Sequence, residues 1–304
     1  MVRFQRVFTR GVAAFAAALT MLAGAGVASS AAGAATATTT TGFYLDIGAS
    51  VSVGIQPTPL HPNGYRTHHG FANDLISYEA SHGVSLTLTE LGCPGESVAT
   101  MVNGQDGCYH SGDSQLADAI TFLNAHHDQT GLVTIDLGFN SVVPCLRTRV
   151  VDPTCVQQSI GQMAPQLTSI LTVLKAAAGP NVTFVGLSFA DPYLAQEANG
   201  STGRIHARAS LQAISQLDQT LATIYQSQGM PMANVAGVFH LHQTATTYRS
   251  GKRVPTNVAT VCHLTWMCAA HPYGPNIHPN AAGYEAIADA IIAVLPPPFH
   301  CFTD

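Results

Sequence analysis

The chain has 304 residues, 46% hydrophobic and only 10% charged, with a formal net charge of −5. This composition supports a sizeable core and excludes disorder. The absence of a basic surplus argues against a nucleic-acid partner, and the length suits one large domain or two small ones.

Arg3, Arg6 and Arg10 precede an apolar stretch from Gly11 to Ala28. Small residues follow, with Ala32-Gly33-Ala34 and Ala35-Thr36-Ala37 as cleavage candidates. This layout predicts a secretory signal peptide over residues 1–37 and a mature domain over 38–304. The stretch is rich in alanine and glycine and near the lower length limit for a span, so no stable membrane span is expected after cleavage. Secretion makes disulfides the favoured reading of the seven cysteines. Connectivity is not determined by sequence, but Cys93 with Cys108, Cys145 with Cys155 and Cys262 with Cys268 would each close a short loop, leaving Cys301 over.

In chain order, Phe43 to Ile47 predicts a strand, Phe71 to Ser81 a helix, Val84 to Leu91 a strand and Ser114 to Ala125 a helix. Leu132 to Leu137 is a short apolar strand. Ile160, Met163, Leu167, Ile170, Leu171 and Leu174 recur at the spacing of one buried helical stripe, which Gly179-Pro180 stops. Val182 to Phe189 predicts a strand. Leu211, Ile214, Leu217, Leu221 and Ile224 mark a second strong helix. Val235 to Leu241 predicts a fifth strand, and Ala281 to Leu295 a closing helix. Alternating strands and helices imply a parallel sheet covered on both faces, with ligands bound beyond the carboxyl ends of the strands.

Four of those ends carry chemistry. The first strand runs into Gly48-Ala49-Ser50, the second into Leu91-Gly92-Cys93-Pro94-Gly95-Glu96-Ser97, and the third into Gly138-Phe139-Asn140-Ser141. Asn276-Ile277-His278-Pro279-Asn280 stands before the last helix. Ser50 is a candidate nucleophile, and His278 a candidate base and acid. The N–H groups of Ser50 and Gly95 and the Asn140 amide are candidate oxyanion donors.

Serine, glycine, asparagine and histidine in this order resemble the SGNH, or GDSL-like, hydrolases, over about residues 42 to 295. The resemblance implies a flavodoxin-like three-layer α/β/α sandwich with about five parallel strands. It also implies a secreted esterase or lipase that works through an acyl-enzyme without a cofactor. The substrate would be a small-molecule, lipid or acylated-glycan ester. Three positions depart from the family: Ala49 and Ser141 stand where it usually has Asp, and Pro275 replaces the Asp that usually precedes the histidine. Orientation of His278 is therefore expected from a main-chain carbonyl of the 272–276 turn, Pro275 among them, or from Asn276. A catalytically degenerate carbohydrate- or surface-binding protein is the alternative from another class, and an acetyl esterase the alternative within the enzymes.

His240-Leu241-His242 would place two rings on one face of the fifth strand, but no cysteine or carboxylate accompanies them at zinc-site spacing, and no metal site is expected. No phosphate-cradling glycine motif is present. The Gly54 to Phe71 loop, rich in proline, is expected to shape the acyl pocket, and the disulfides to brace the loops that carry the site.

Overall fold

Residues 40–299, apart from 105, 106 and 111, are described by a computed structural model. The expected signal peptide and Cys301 lie outside the described residues. In chain order the elements are β1 (Thr40–Gly48), α1 (Phe71–Ser81), β2 (Val84–Glu90), α2 (Val98–Asn103), α3 (Gln115–Ala125), β3 (Gly131–Asp136), α4 (Phe139–Leu146), α5 (Pro153–Ala177) and β4 (Val182–Leu187). They continue with a 3-10 turn (Pro192–Ala198), α6 (Gly200–Ser227), β5 (Met232–Ala233), α7 (Val235–Val238), a hairpin of β6 (Thr246–Arg249) and β7 (Lys252–Pro255), α8 (Thr256–Leu264) and α9 (Ala281–Ile292).

The first five strands form one parallel sheet in the order β2-β1-β3-β4-β5. β1 and β3 are buried along most of their length, as strands covered by helices on both faces must be. On one side α1 packs on α9, which also meets α7 and α8; on the other, α3, α4 and α6 pack on α5. The apolar stripe of α5 (Ile160, Met163, Leu167, Ile170, Leu171, Leu174) is buried as its spacing predicts. The helix starts earlier than that stripe, because Asp152 caps it through the Thr154 N–H and Pro153 occupies its first position.

The fifth strand is a correction. Val235 to Leu241 is not a strand: β5 is Met232–Ala233, and Val235–Val238 is a helical turn capped by Asn234, whose Oδ1 accepts the Gly237 N–H. The run is apolar because Val235, Phe239 and Leu241 are buried, and burial alone does not distinguish a short strand from a helical turn. His240 has φ 53°, so His240 and His242 do not share a strand face either.

Strand order reverses between β1 and β3, and the connections leaving their carboxyl ends diverge there. Such a switch point is where open α/β sheets bind ligands. β1 fits against β3 only because position 48 lacks a side chain: a Cβ on Gly48 would lie 2.5 Å from the Asp136 carbonyl oxygen, and its φ is +149°. Replacing Gly48 by alanine is therefore expected to cost about 2 kcal/mol or more, read as a lowered urea midpoint.

Candidate functional site

Ser50 follows β1, Asn140 lies in the first turn of α4 after β3, and His278 precedes α9. The structure brings all three to the wall of one cavity of about 70 Å³. Most of the remaining wall is apolar, with Leu187, Phe189, Val235, Phe239, Ile277 and Ile287 among its residues. An apolar wall with a few convergent polar groups is the character of a small-molecule site.

The serine turn is tightly held. Ala49 N–H donates to the Asp136 carbonyl at 3.2 Å, Ser52 Oγ donates to the Ala49 carbonyl at 2.7 Å, and Ile55 N–H donates to the Ser50 carbonyl at 3.2 Å. Asp136 also lines the cavity, and its carboxyl is buried. Burial pushes it up to about 7, against hydrogen bonds from the Ala49 and Ser52 N–H groups.

Two glycines of the second block do different work. Gly92 lets the chain press on the serine turn, since a Cβ there would fall 2.0 Å from Ser52 Oγ. Gly95 has φ +94° on an exposed turn and does not line the cavity. The Gly95 and Ser50 N–H groups have no main-chain acceptor among the described residues. Asn140 Nδ2 donates to the Glu96 carbonyl at 3.0 Å, which ties the asparagine block to the glycine block. Ser141 plays a related part, its Oγ accepting the Val98 N–H at 3.3 Å.

His278 is oriented by a side-chain amide. Its Nδ1–H donates to Asn276 Oδ1 at 2.7 Å, and the same oxygen accepts the His278 main-chain N–H at 3.0 Å. Asn276 Nδ2 donates to the Pro62 carbonyl at 3.1 Å. Those partners fix which end of the amide faces the ring, and so fix the tautomer: Nδ1 carries the proton and Nε2 is left as an acceptor. Of the two expectations for orientation, the asparagine side chain fills the role, and neither Pro275 nor a main-chain carbonyl of its turn does. The turn itself is held by Trp266, whose N–H donates to the His278 carbonyl at 3.0 Å and whose carbonyl accepts the Asn276 N–H at 3.2 Å. Burial pushes the His278 imidazolium down to about 4, and the Arg147 guanidinium adds to the shift.

The Gly54 to Phe71 loop is a second correction. None of it lines the cavity. It contributes from behind, through the Pro62 carbonyl that holds Asn276.

Sequence reading missed Gln115 and Glu96, both fully buried. Gln115 Oε1 accepts the Gly48 N–H at 2.6 Å, while its Nε2 donates to the Gly48 carbonyl at 3.0 Å and to Glu96 Oε2 at 2.9 Å. The Thr100 hydroxyl donates to the other Glu96 oxygen. One buried side chain thus joins the strand leading to Ser50 to the block that carries Gly95. No periodicity signals it; the cue was only that Glu96 stood inside a recognised block.

The three short-range cysteine pairs are bonded: Cys93–Cys108, Cys145–Cys155 and Cys262–Cys268. The first starts in the glycine block, and the last closes the segment that contains Trp266. Among the described residues no group of three His, Cys, Asp or Glu side chains could hold a metal ion, and no helix is long and apolar enough to cross a membrane.

A parallel sheet of this order, covered by helices on both faces, is a three-layer α/β/α sandwich, and serine, asparagine and histidine gather beyond its carboxyl edge. No protein-family model and no curated protein matches the chain. Solved structures do. Phospholipase A1 from Streptomyces albidoflavus NA297 superposes with a TM-score of 0.55 at 16% identity, over 83% of this chain and 98% of its own. An extracellular lipase from Streptomyces rimosus gives 0.55 at 15% identity, over 84% and 100%. A lipase from a goat rumen metagenome gives 0.52 at 14% identity, over 84% and 97%. At such identities the likeness speaks for the fold.

Gln115→Met would keep the volume and remove three hydrogen bonds, leaving the buried Gly48 N–H without this acceptor. Urea denaturation should register a loss of about 1–3 kcal/mol. In any ester assay kcat should fall more than KM changes, because the serine turn, not a ligand contact, is disturbed.

Proposed function

We propose that the protein is a secreted serine hydrolase that cleaves carboxylic esters with apolar acyl groups through an acyl-enzyme. The observation that carries this reading is His278, hydrogen-bonded through Nδ1 to Asn276, on the wall of an apolar cavity shared with Ser50. The missing aspartate is the main support for a degenerate binding protein, and a neutral oxygen in hydrogen-bond contact with Nδ1 removes much of that support.

Ser50 Oγ attacks the ester carbonyl while His278 Nε2 takes its proton. The negative oxygen that develops is held by the Ser50 N–H and the Asn140 amide, since Gly95 does not line the cavity; each such donor is typically worth about 10²–10³ in rate. His278 then protonates the leaving alcohol, and the carbonyl re-forms as the acyl-enzyme. Water, deprotonated by the same nitrogen, attacks that carbonyl, and the acid leaves as Ser50 Oγ regains its proton. Asn276 keeps Nδ1 protonated throughout, so Nε2 always faces the reaction. The acyl chain lies along Leu187, Phe189, Val235 and Phe239, whose burial by the chain supplies the binding energy. Three disulfides are compatible with an extracellular site of action.

The test is hydrolysis of p-nitrophenyl esters from acetyl to palmitoyl, with fluorophosphonate labelling alongside. Medium-chain esters should be preferred over acetate, and Ser50→Ala should abolish both turnover and labelling. A wild-type protein that neither turns over nor labels would sink the proposal, whereas strict preference for acetyl groups on glycans would move it to a carbohydrate esterase. Val235→Trp should narrow the cavity and shift preference toward acetate by at least tenfold.

The pH profile separates the amide from a carboxylate. A base with its pKa at about 4 is neutral above that pH, so the acid limb of kcat/KM should lie near 4 and the rate should stay level through neutrality. Asn276→Asp places a negative charge on Nδ1–H and favours the imidazolium, which should move the limb up by about 1–3 units.

A further inference from the structure

Four aspartates lie inside the fold without a cation beside them. Asp46 and Asp191 are 0% exposed, Asp136 2% and Asp218 8%. Lysine and arginine are scarce, 12 in 304 residues. The ion pairs recorded among the described residues, Arg66 with Glu90 and His127 with Asp128, include none of the four. Asp46 Oδ2, Asp136 Oδ2 and Asp218 Oδ2 are closed off from solvent and have no hydrogen-bond partner. An isolated carboxylate in such a place is costly, and the usual escape is to keep the proton.

They form two groups. Asp46 pairs in register with Thr134 across β1 and β3, so Asp136, two residues on, shares its face of the sheet. Thr134 Oγ1 donates to Asp46 Oδ1 at 2.7 Å and lies 2.9 Å from the Tyr44 hydroxyl. Glu90 and Arg66 face Asp46; the phenols of Tyr284 on α9 and Tyr225 on α6 face Asp136, and His278 shares its cavity. Arg66 is the one cation among the described residues whose charge reaches any of the four, and it is half exposed and already paired with Glu90 at 3.4 Å. In the second group the Ser210 hydroxyl donates to Asp191 Oδ2 at 2.7 Å and the Tyr193 N–H to Oδ1 at 2.9 Å, while the Phe189 N–H donates to Asp218 Oδ1 at 2.8 Å. These two carboxyls act on each other and on the phenols of Tyr193 and Tyr225. Burial pushes Asp136, Asp191 and Asp218 up to about 7, and Asp46 well above the usual carboxylate range, against the donors just named. Glu79, buried on α1 with neither oxygen bonded, is pushed up to about 7 in the same way.

We infer that the fold is built to hold in an acidic medium: folding takes up protons at these buried aspartates, and the native state gains stability as the pH falls below neutrality. The unfolded chain releases an aspartate proton near 3.8, and the native chain near 7. Between those values only the native state keeps the proton, so each rise in pH favours unfolding. The contribution is full below the lower value and is lost as the pH climbs to the upper one. Each such group lowers the folding constant by up to about a hundredfold between pH 5 and pH 8. His278 acts in the opposite sense, but as one group, and only between about 4 and 6.5. Its ring is neutral over the acid range in which the aspartates hold their protons, so a site that uses it as a base stays competent where the fold is most stable. The inference itself does not depend on the reaction proposed for that site.

The experiment is urea denaturation of the purified protein at pH 5 and pH 8 at one ionic strength, with infrared spectra of the native protein at pH 6. The urea midpoint should be higher at pH 5 than at pH 8. The carbonyl band of protonated carboxylic acid should persist at pH 6, where ordinary aspartates are ionised. Asp218→Asn keeps the oxygen that accepts the Phe189 N–H and removes the titration. It should raise the folding constant at pH 8, relative to that at pH 5, by about tenfold or more, and Asp191→Asn should do the same. Asp118→Asn, on the exposed face of α3, should leave the pH dependence as in the wild type. A midpoint that is flat or rises from pH 5 to pH 8 would overturn the proposal. So would a spectrum without the acid band, or a pH dependence that both buried variants leave unchanged. If either variant fails to fold, the wild-type midpoints and the infrared band decide alone.

Discussion

The site depends on a contact with no side chain in it. At Gly48 the end of β1 presses on the Asp136 backbone, and the chain then turns sharply into Ser50. A bend at that point, buried on both sides, needs its amide and carbonyl satisfied without room for water. Gln115 meets the requirement with one side chain that accepts from Gly48 N–H and donates to Gly48 carbonyl. Cys93 N–H also donates to that carbonyl, at 3.0 Å. The nucleophile turn is therefore referenced to α3 and to the glycine block at once. The remaining hydrogen bond of Gln115, to Glu96, carries the reference on, because the Glu96 carbonyl receives the Asn140 amide. Three of the four blocks share one buried polar network, and satisfied networks of this kind are rigid.

The histidine block is positioned by different means. Its turn is laced to Trp266 by main-chain hydrogen bonds, and Asn276 is anchored on the far side by Pro62. This explains what the proline-rich loop does. A carbonyl held in a rigid loop is a fixed acceptor, and a fixed acceptor keeps the Asn276 amide from rotating its NH₂ toward the ring. Had the amide turned over, Nδ1 would face a donor, the proton would shift to Nε2, and the base would be lost.

How much of this was legible follows from the physics of each element. Strands Phe43 to Ile47 and Leu132 to Leu137, and the helix around Ile160 to Leu174, could be read because burial imposes a period on side chains. The four candidate blocks stood out because short motifs at strand ends are local. What could not be read is non-local or cavity-driven. Gln115 lies 67 residues from Gly48, and nothing near it in sequence announces the pairing. Val235 to Leu241 looked like a strand because it is apolar, yet it is apolar because Val235, Phe239 and Leu241 are buried in a helical turn and its exit, and the Asn234 cap was the cue that a helical turn begins there. Asn276 was named as one of two ways to orient His278; choosing between them required the position of its side chain.

An amide in place of a carboxylate suits the site around it. His278 sits against an apolar cavity, where burial already holds the ring neutral. A carboxylate at position 276 would itself have to lose water, a cost recovered only when the ring becomes charged. The amide avoids that cost in the resting state and still fixes the tautomer. What it cannot do, in the reaction we propose, is stabilise the imidazolium that would form as Ser50 attacks. That charge must be balanced within the site, and the nearest arginine opposes it. The negative charge developing beside the Ser50 N–H and Asn140 then becomes the main counter-charge for the ring, and excluding water strengthens their attraction. A substrate whose acyl chain fills the cavity supplies that exclusion, so chain length should act on kcat as well as on KM.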